Sequence, residues 1–171
     1  MPKPPASTLP EFYKRYIDPL EYDELIPALI SSGNESIDLF KSIPEASGNY
    51  RYEEGKWSIK QVIQHIMDAE RVFCYRALTF SRGDDTRLPG FDENSWAAAS
   101  LVSDRKLYKL IEAYANLRAS TVDLFGSFTG EMLQRTGDAN GIQVDVLTLG
   151  FLIVGHEAHH RRVLLDRYFQ K

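Results

Sequence analysis

Apolar residues recur at three- and four-residue intervals over four long stretches of the sequence, and nowhere do they alternate convincingly like a half-buried strand. A helix with one apolar stripe has to cover it. Four such helices of comparable length therefore predict an all-α fold, a four-helix bundle. The first stretch runs from about Glu21 to Ile43 through Tyr22, Ile26, Leu29, Ile37 and Phe40. Pro27 suits its first turn better than its interior, and Gly33 marks either a mild weakness or a place of close packing. The second stretch has the clearest start. Ser58 can cap it, Gln61 completes a capping box, and Trp57 and Val62 stand at the positions of a hydrophobic staple. Its stripe of Ile59, Val62, Ile66, Ala69, Phe73, Ala77 and Phe80 stops near Gly83. The third begins near Asp104 and reads Leu107, Leu110, Ile111, Tyr114, Leu117, Val122 and Phe125. The fourth runs from about Val144 to Phe169, with a first half so apolar that it belongs deep in the bundle.

Two connections are long enough to cross the bundle. Asp84 to Ser103 holds Pro89, Gly90 and a short helix around Glu93 to Ala99, and Gly126 to Gly141 is rich in Gly, Thr and Ser. Residues 1–20 read as an N-terminal extension to one domain spanning 1–171. With 24 acidic and 20 basic residues and a formal charge of -4, the chain lacks the basic surface that a phosphate backbone needs, so nucleic acid is not an expected partner. Cys74 is the only cysteine, which leaves no internal disulfide. Met1 to Pro10 has no apolar run of signal-peptide length, and Val144 to Gly155 is too short to span a bilayer. The expectation is a soluble cytoplasmic protein with no membrane partner.

Three of the four histidines fall in His156-Glu157-Ala158-His159-His160, and the fourth, His65, lies in the middle of the second helix. At about 100° per residue, His156 and His160 project roughly 40° apart and one turn above each other, so both imidazoles can converge on one metal ion. His159 stands about 60° from His156 and about 100° from His160, and fits a shared ion less easily. His65 borders the core-facing stripe and offers a third ligand from a facing helix. Three neutral imidazoles would leave a position open for water or substrate. Spacing alone equally admits hydrogen-bonded core histidines. The same residues match H-E-x-x-H, with Glu157 in the place of a general base. Only 11 residues follow His160, too few for a further ligand helix, and the metalloprotease reading is set aside.

Several motifs occur together in order. Trp57-Ser58 opens a helix, and His65 precedes Asp68-Ala69-Glu70-Arg71. Pro89-Gly90-Phe91-Asp92 and Trp96 stand in the long connection, and Gly155-His156 and His159-His160-Arg161 come late in the last helix. Over about residues 20 to 169 this set resembles the DinB-like superfamily, the DinB/YfiT-like metalloenzymes. The resemblance implies a down-up-up-down bundle with long crossover connections, often a homodimer. It also implies a divalent metal ion, typically zinc or nickel, on His65, His156 and His160, with His159 a neighbour of the site. Relatives of this kind include enzymes that use a low-molecular-weight thiol, such as bacillithiol or mycothiol, in S-transfer or isomerisation. The implied function is therefore a metal-dependent thiol S-transferase or related hydrolase acting on a small-molecule substrate. The chemistry is reasonable, because a metal lowers the pKa of a bound thiol or water. The alternatives are a stress-related metal- or ligand-binding bundle without turnover, and a dimeric interaction module with vestigial histidines.

Other residues have competing readings. Cys74 points away from His65 and reads as an inert buried thiol. Asp68 and Glu70 could orient imidazoles or simply form salt bridges. Glu157 is a weak candidate for a catalytic base. Arg161 and Arg162 could meet an anionic substrate or cover the helix end. Tyr50, Tyr52, Trp57, Phe91 and Trp96 could line a pocket mouth or pack in the core.

Overall fold

Ser58 starts the longest helix as the sequence predicts. Its hydroxyl accepts the Gln61 N–H, and the Gln61 side chain accepts the Ser58 N–H. The computed structural model describes residues 1–169. In chain order they form α1 (Glu11–Ile17), α2 (Leu25–Ser42), α3 (Ile59–Ser81), α4 (Glu93–Ala99), α5 (Leu107–Gly126) and α6 (Gly130–Gln134). Strands β1 (Thr136–Ala139) and β2 (Ile142–Asp145) follow, then α7 (Val146–Val163), which runs into a π-helical turn at Leu164–Tyr168.

The bundle consists of α2, α3, α5 and α7. Both α5 and α7 pack against α2 and α3, so α2 faces α3 across one diagonal and α5 faces α7 across the other. Side-chain pairs fix the directions. Glu70 and Cys74 of α3 meet Arg118 and Thr121 of α5 in the same order, which makes these helices parallel. Leu25 lies against Gly150, and Ser36 bonds to Glu157 further along, so α2 and α7 are also parallel. Trp57 at the head of α3 meets Tyr168 beyond the end of α7, so these two run antiparallel. The topology is down-up-up-down. Parallel neighbours α3 and α5 need a connection as long as the bundle, and residues 82–106 with α4 supply it.

Apolar side chains fill the two ends of the bundle. Leu29, Phe73, Phe80, Phe125 and Leu149 belong to one core, and Phe40, Ile63, Leu110, Tyr114 and Leu164 to the other. Between them lies a buried polar layer with members from every long helix: Ser32 and Ser36, Glu70, Arg118 and Thr121, and Glu157. Arg118 is its hub. Nε and Nη2 donate to the two Glu70 oxygens at 3.0 and 2.9 Å, Nη2 also to Glu157 at 2.5 Å, and Nη1 to the Leu29 carbonyl at 3.0 Å. Glu157 accepts further bonds from Ser36 and Arg161, and the Thr121 hydroxyl donates to Glu70. Two carboxylates and two guanidiniums offset one another, the condition under which charge can be buried. Burial opposes the charge on Arg118, yet the Glu157 and Glu70 carboxylates and the Tyr114 phenol hold its pKa well above the ordinary value.

This layer explains why α2 buries a different face from the stripe read in the sequence. Ile26 and Ile37 are only half-buried, while Ser32, Gly33 and Ser36 face inward to make room for the charged side chains. Gly33 is thus a place of close packing, since a Cβ there would stand 2.8 Å from Arg118 Cγ. Helix limits also shift. Pro27 does sit in the first turn of α2, Val102–Asp104 forms a 3-10 turn ahead of α5, and Asp145 caps α7 by accepting the Thr148 N–H.

Two sequence expectations need correction. Residues 1–20 are a packed part of the fold, for Leu9, Tyr13, Ile17 and Leu20 are buried and α1 lies against α7. The second connection contains the β1–β2 hairpin, whose turn residues Asn140 and Gly141 take φ of 58° and 80°. Contact between α1 and α7 depends on Gly155, where a Cβ would overlap the Tyr16 carbonyl. Gly155→Ala is therefore expected to lose about 1–3 kcal/mol of stability, outweighing the gain of about 1 kcal/mol in helix propensity. A lowered urea midpoint, with faster amide exchange in residues 9–20, is the measurement; an unchanged midpoint contradicts it.

Candidate metal centre

His65 lies on α3 and His156 and His160 lie one turn apart on α7, and the antiparallel packing of these helices brings all three to one level. His156 Nε2 is 3.1 Å from His65 Nε2 and 3.2 Å from His160 Nε2. The three ligand atoms all lie within 4.8 Å of one another, and among the described residues no other His, Cys, Asp or Glu group of three is so close. Tetrahedral zinc with Zn–N of about 2.0–2.1 Å places neighbouring nitrogens about 3.3 Å apart. The two separations from His156 are close to that spacing. His156 Nε2 also faces two ring nitrogens but can share a proton with only one of them. A cation at the common point would satisfy all three lone pairs, so these residues fit a divalent ion.

Aromatic rings wall the cluster. Trp57 tilts over His65 at 4.7 Å between centroids, and Tyr16 and Phe73 lie 5.7 and 5.8 Å from His156. Burial lowers the His65 pKa to about 4. It lowers His156 to about 3, helped by His65, His159 and Arg15, and His160 shifts down as well. Neutral imidazole is the form that binds metal, so protons compete little at neutral pH. In the unfolded chain these groups take up protons near pH 6.5, while in the folded chain they resist until about pH 4 and 3. Stability without metal is thus fully present above pH 6.5 and is lost as pH falls below it, by roughly 1.4 kcal/mol per pH unit for each histidine. Chelator-treated protein should have a clearly lower urea midpoint at pH 5 than at pH 7.5, and equal midpoints contradict this.

A cavity of about 260 Å³ opens beside His65 and His156, walled by Tyr13 and Tyr16 of α1, Phe73 of α3, Phe91, and Ile142 of the hairpin. A second recess of about 270 Å³, bordered by Tyr52, Trp57 and Tyr168, lies on the His160 side. The family is settled by comparison with known proteins: a DinB superfamily model matches residues 28–164. The chain belongs to the DinB superfamily. Among similar proteins, the "Putative metal-dependent hydrolase" of Oceanobacillus iheyensis is 27% identical over 112 residues, 64% of this chain and 63% of that protein, so the match spans less than two thirds of the relative. Two solved Bacillus subtilis structures share the fold. YfiT, described as a probable metal-dependent hydrolase with an unusual four-helix bundle topology, has a TM-score of 0.74 at 14% identity over 90% of this chain and 95% of its own. The DinB-like protein YjoA has a TM-score of 0.59 at 22% identity over 83% and 87%.

In this DinB-superfamily chain the other singled-out residues fall in several places. His159 is exposed, edge-on to Tyr16 at 5.5 Å, and outside the cluster. Glu157 is displaced from the role of base, because its carboxylate is engaged by Ser36, Arg118 and Arg161 in the polar layer. Glu70 belongs to the same layer, and Asp68 pairs with Arg71 and Gln64; neither hydrogen-bonds to a histidine. Cys74 lies 3.4 Å from the Thr121 hydroxyl, and burial pushes its thiol up to about 11, which disfavours the thiolate. Arg161 bridges Glu35 to the polar layer, and Arg162 is exposed. Trp57 and Phe91 border the site, Tyr50 and Tyr52 pack edge-on against Tyr168, and Trp96 is exposed beside Phe91. Sequence reasoning missed the wall from α1, although Leu9, Tyr13, Ile17 and Leu20 already show helical spacing. It also missed Arg76, which lines the cavity. No described helix is long and apolar enough to cross a membrane.

Proposed function

We propose that this protein is a divalent-metal-dependent hydrolase of a small molecule, with His65, His156 and His160 as the ligands. The observation that carries this reading is the convergence of three imidazoles, two of which, His65 and His156, line a cavity. Zinc or nickel bound there would supply Lewis acidity, turning a coordinated water or thiol into a nucleophile near neutral pH. The imidazoles bring no negative charge, so the electrophilic strength of the ion is preserved. Tyr16, Phe73 and Trp57 pack against the histidines and lower the polarity of their surroundings, which strengthens electrostatic interactions there. The cavity volume suits a small substrate.

A second reading, S-transfer with a low-molecular-weight thiol, is favoured by one feature. With Glu157 held in the polar layer, the sole carboxylate among the described residues of the cavity wall is Glu93, which is exposed. A thiol activated by a metal needs no general base. The test is a turnover screen of zinc- and nickel-loaded protein against esters, amides and alkylating electrophiles, with and without a thiol such as bacillithiol, beside His65→Ala. Hydrolysis without thiol supports the first reading, and a thioether product formed only with thiol supports the second. Loaded protein no faster than His65→Ala on every pair contradicts both.

A further inference from the structure

Arg76 stands three turns beyond His65 on nearly the same face of α3. Eleven residues turn a helix by about 1100°, within about 20° of whole turns, and separate the two Cα atoms by about 16 Å. Ala69 and Phe73 occupy the turns between, and all four residues line one cavity. The cavity therefore has the histidines toward one end, an apolar middle, and a guanidinium toward the other end.

The state of that guanidinium is unusual. Arg76 is 5% exposed, about as deep as Arg118, yet Arg118 has two carboxylates and Arg76 has none among the described residues. Its Nη2 donates to the Pro89 carbonyl at 2.8 Å, and its Nε is buried with no partner among the described residues. A guanidinium cannot shed its proton, so the charge stays. Leaving a buried charge unpaired costs several kcal/mol, and a buried N–H without an acceptor adds to this. Burial pulls the Arg76 pKa below its ordinary value, and the Tyr13 phenol beside it acts in the opposite direction. Glu93, the carboxylate on this wall, is exposed at the rim and forms no ion pair with Arg76. A tether for the Pro89 loop explains the Nη2 bond but not the unpaired Nε of a side chain that lines a cavity.

We propose that Arg76 is the anion-recognising end of the cavity, and that the substrate is a small elongated molecule with an apolar middle and an anionic oxygen group at the end away from its reacting bond. The anion completes the hydrogen bonding of Arg76 and offsets its charge, and Tyr13, Phe73 and Phe91 pack on the apolar middle. Which end reacts rests on the proposed metal centre; the anion site itself stands on Arg76 and the cavity. Carboxylate and phosphate-type groups share the chemistry that a guanidinium reads.

Calorimetric titration of zinc-loaded and chelator-treated protein with 3-phenylpropionate, 2-phenylethylphosphonate and the neutral 3-phenylpropionamide tests the proposal. One or both anions should bind at least ~10-fold more tightly than the amide in both forms. The stronger of the two identifies the anion class. Arg76→Leu should lose the preference and Arg76→Lys should keep part of it. An amide bound as well as the anions, or a preference that survives Arg76→Leu, overturns the proposal. Should Arg76→Leu fail to fold, the anion-to-amide ratio of the parent protein and of Arg76→Lys still decides. Anion preference in protein that takes up no zinc would remove the metal-centre reading and leave this one. Zinc uptake without anion preference would do the reverse.

Discussion

Arg118→Met is expected to lower the unfolding free energy by about 3–5 kcal/mol, because it leaves two buried carboxylates without their shared cation. Glu70 and Glu157 are 2% and 1% exposed, and their remaining partners are hydroxyls and the more peripheral Arg161. Such a loss is a large fraction of a typical domain stability of about 5–15 kcal/mol. Urea unfolding followed by circular dichroism measures it as a shift in midpoint at constant slope. The triple variant Glu70→Leu, Arg118→Met, Glu157→Leu should recover most of the loss, since replacing a whole buried ion cluster with apolar side chains is often close to neutral. A loss below about 1 kcal/mol for Arg118→Met would mean that the carboxylates are neutral or solvated, not held by this cation.

His156→Ala is expected to reduce zinc affinity by far more than ~100-fold, which is already the upper range for losing a residue that merely supports a ligand. His156 contributes the nitrogen that both other rings approach, so its loss leaves two ligands on different helices. Competition with a chromogenic chelator measures the affinity. Zinc at about 1,000 times its dissociation constant should raise the stability of the parent protein by about 4 kcal/mol and leave His156→Ala unchanged. His159→Ala, outside the cluster, should bind zinc like the parent. Equal loss in His156→Ala and His159→Ala would count against the assignment of ligands.

The parts of the fold that answer to local rules were legible in the sequence. α3 begins at Ile59 because the capping box specifies a start, and α4 spans Glu93–Ala99 as its pattern predicts. The buried face of α2 was not legible, because Ser32, Gly33 and Ser36 are small for the sake of Arg118 and Arg161, which come from other helices. No window of α2 alone contains that requirement. α1 was hidden by the proline-rich segment before it, and the hairpin by four-residue strands too short to alternate visibly, although Asn140-Gly141 is a turn signal. At the site, His65, His156 and His160 were legible through helical spacing, whereas the cavity beside them is closed by α1, the Pro89 loop and the hairpin. Nothing in the local sequence sets Arg76 apart from a solvated arginine; its burial comes from the packed fold.

The three-histidine centre is tested most directly by elemental analysis of untagged protein, purified without chelator and again after exposure to zinc or nickel and removal of excess. The expected result is one tightly held divalent ion per chain in at least the reconstituted sample, lost when His65, His156 or His160 is replaced by alanine. Protein that holds no ion in either sample while remaining folded would contradict it, and would leave His65, His156 and His160 as packed imidazoles without a metal role.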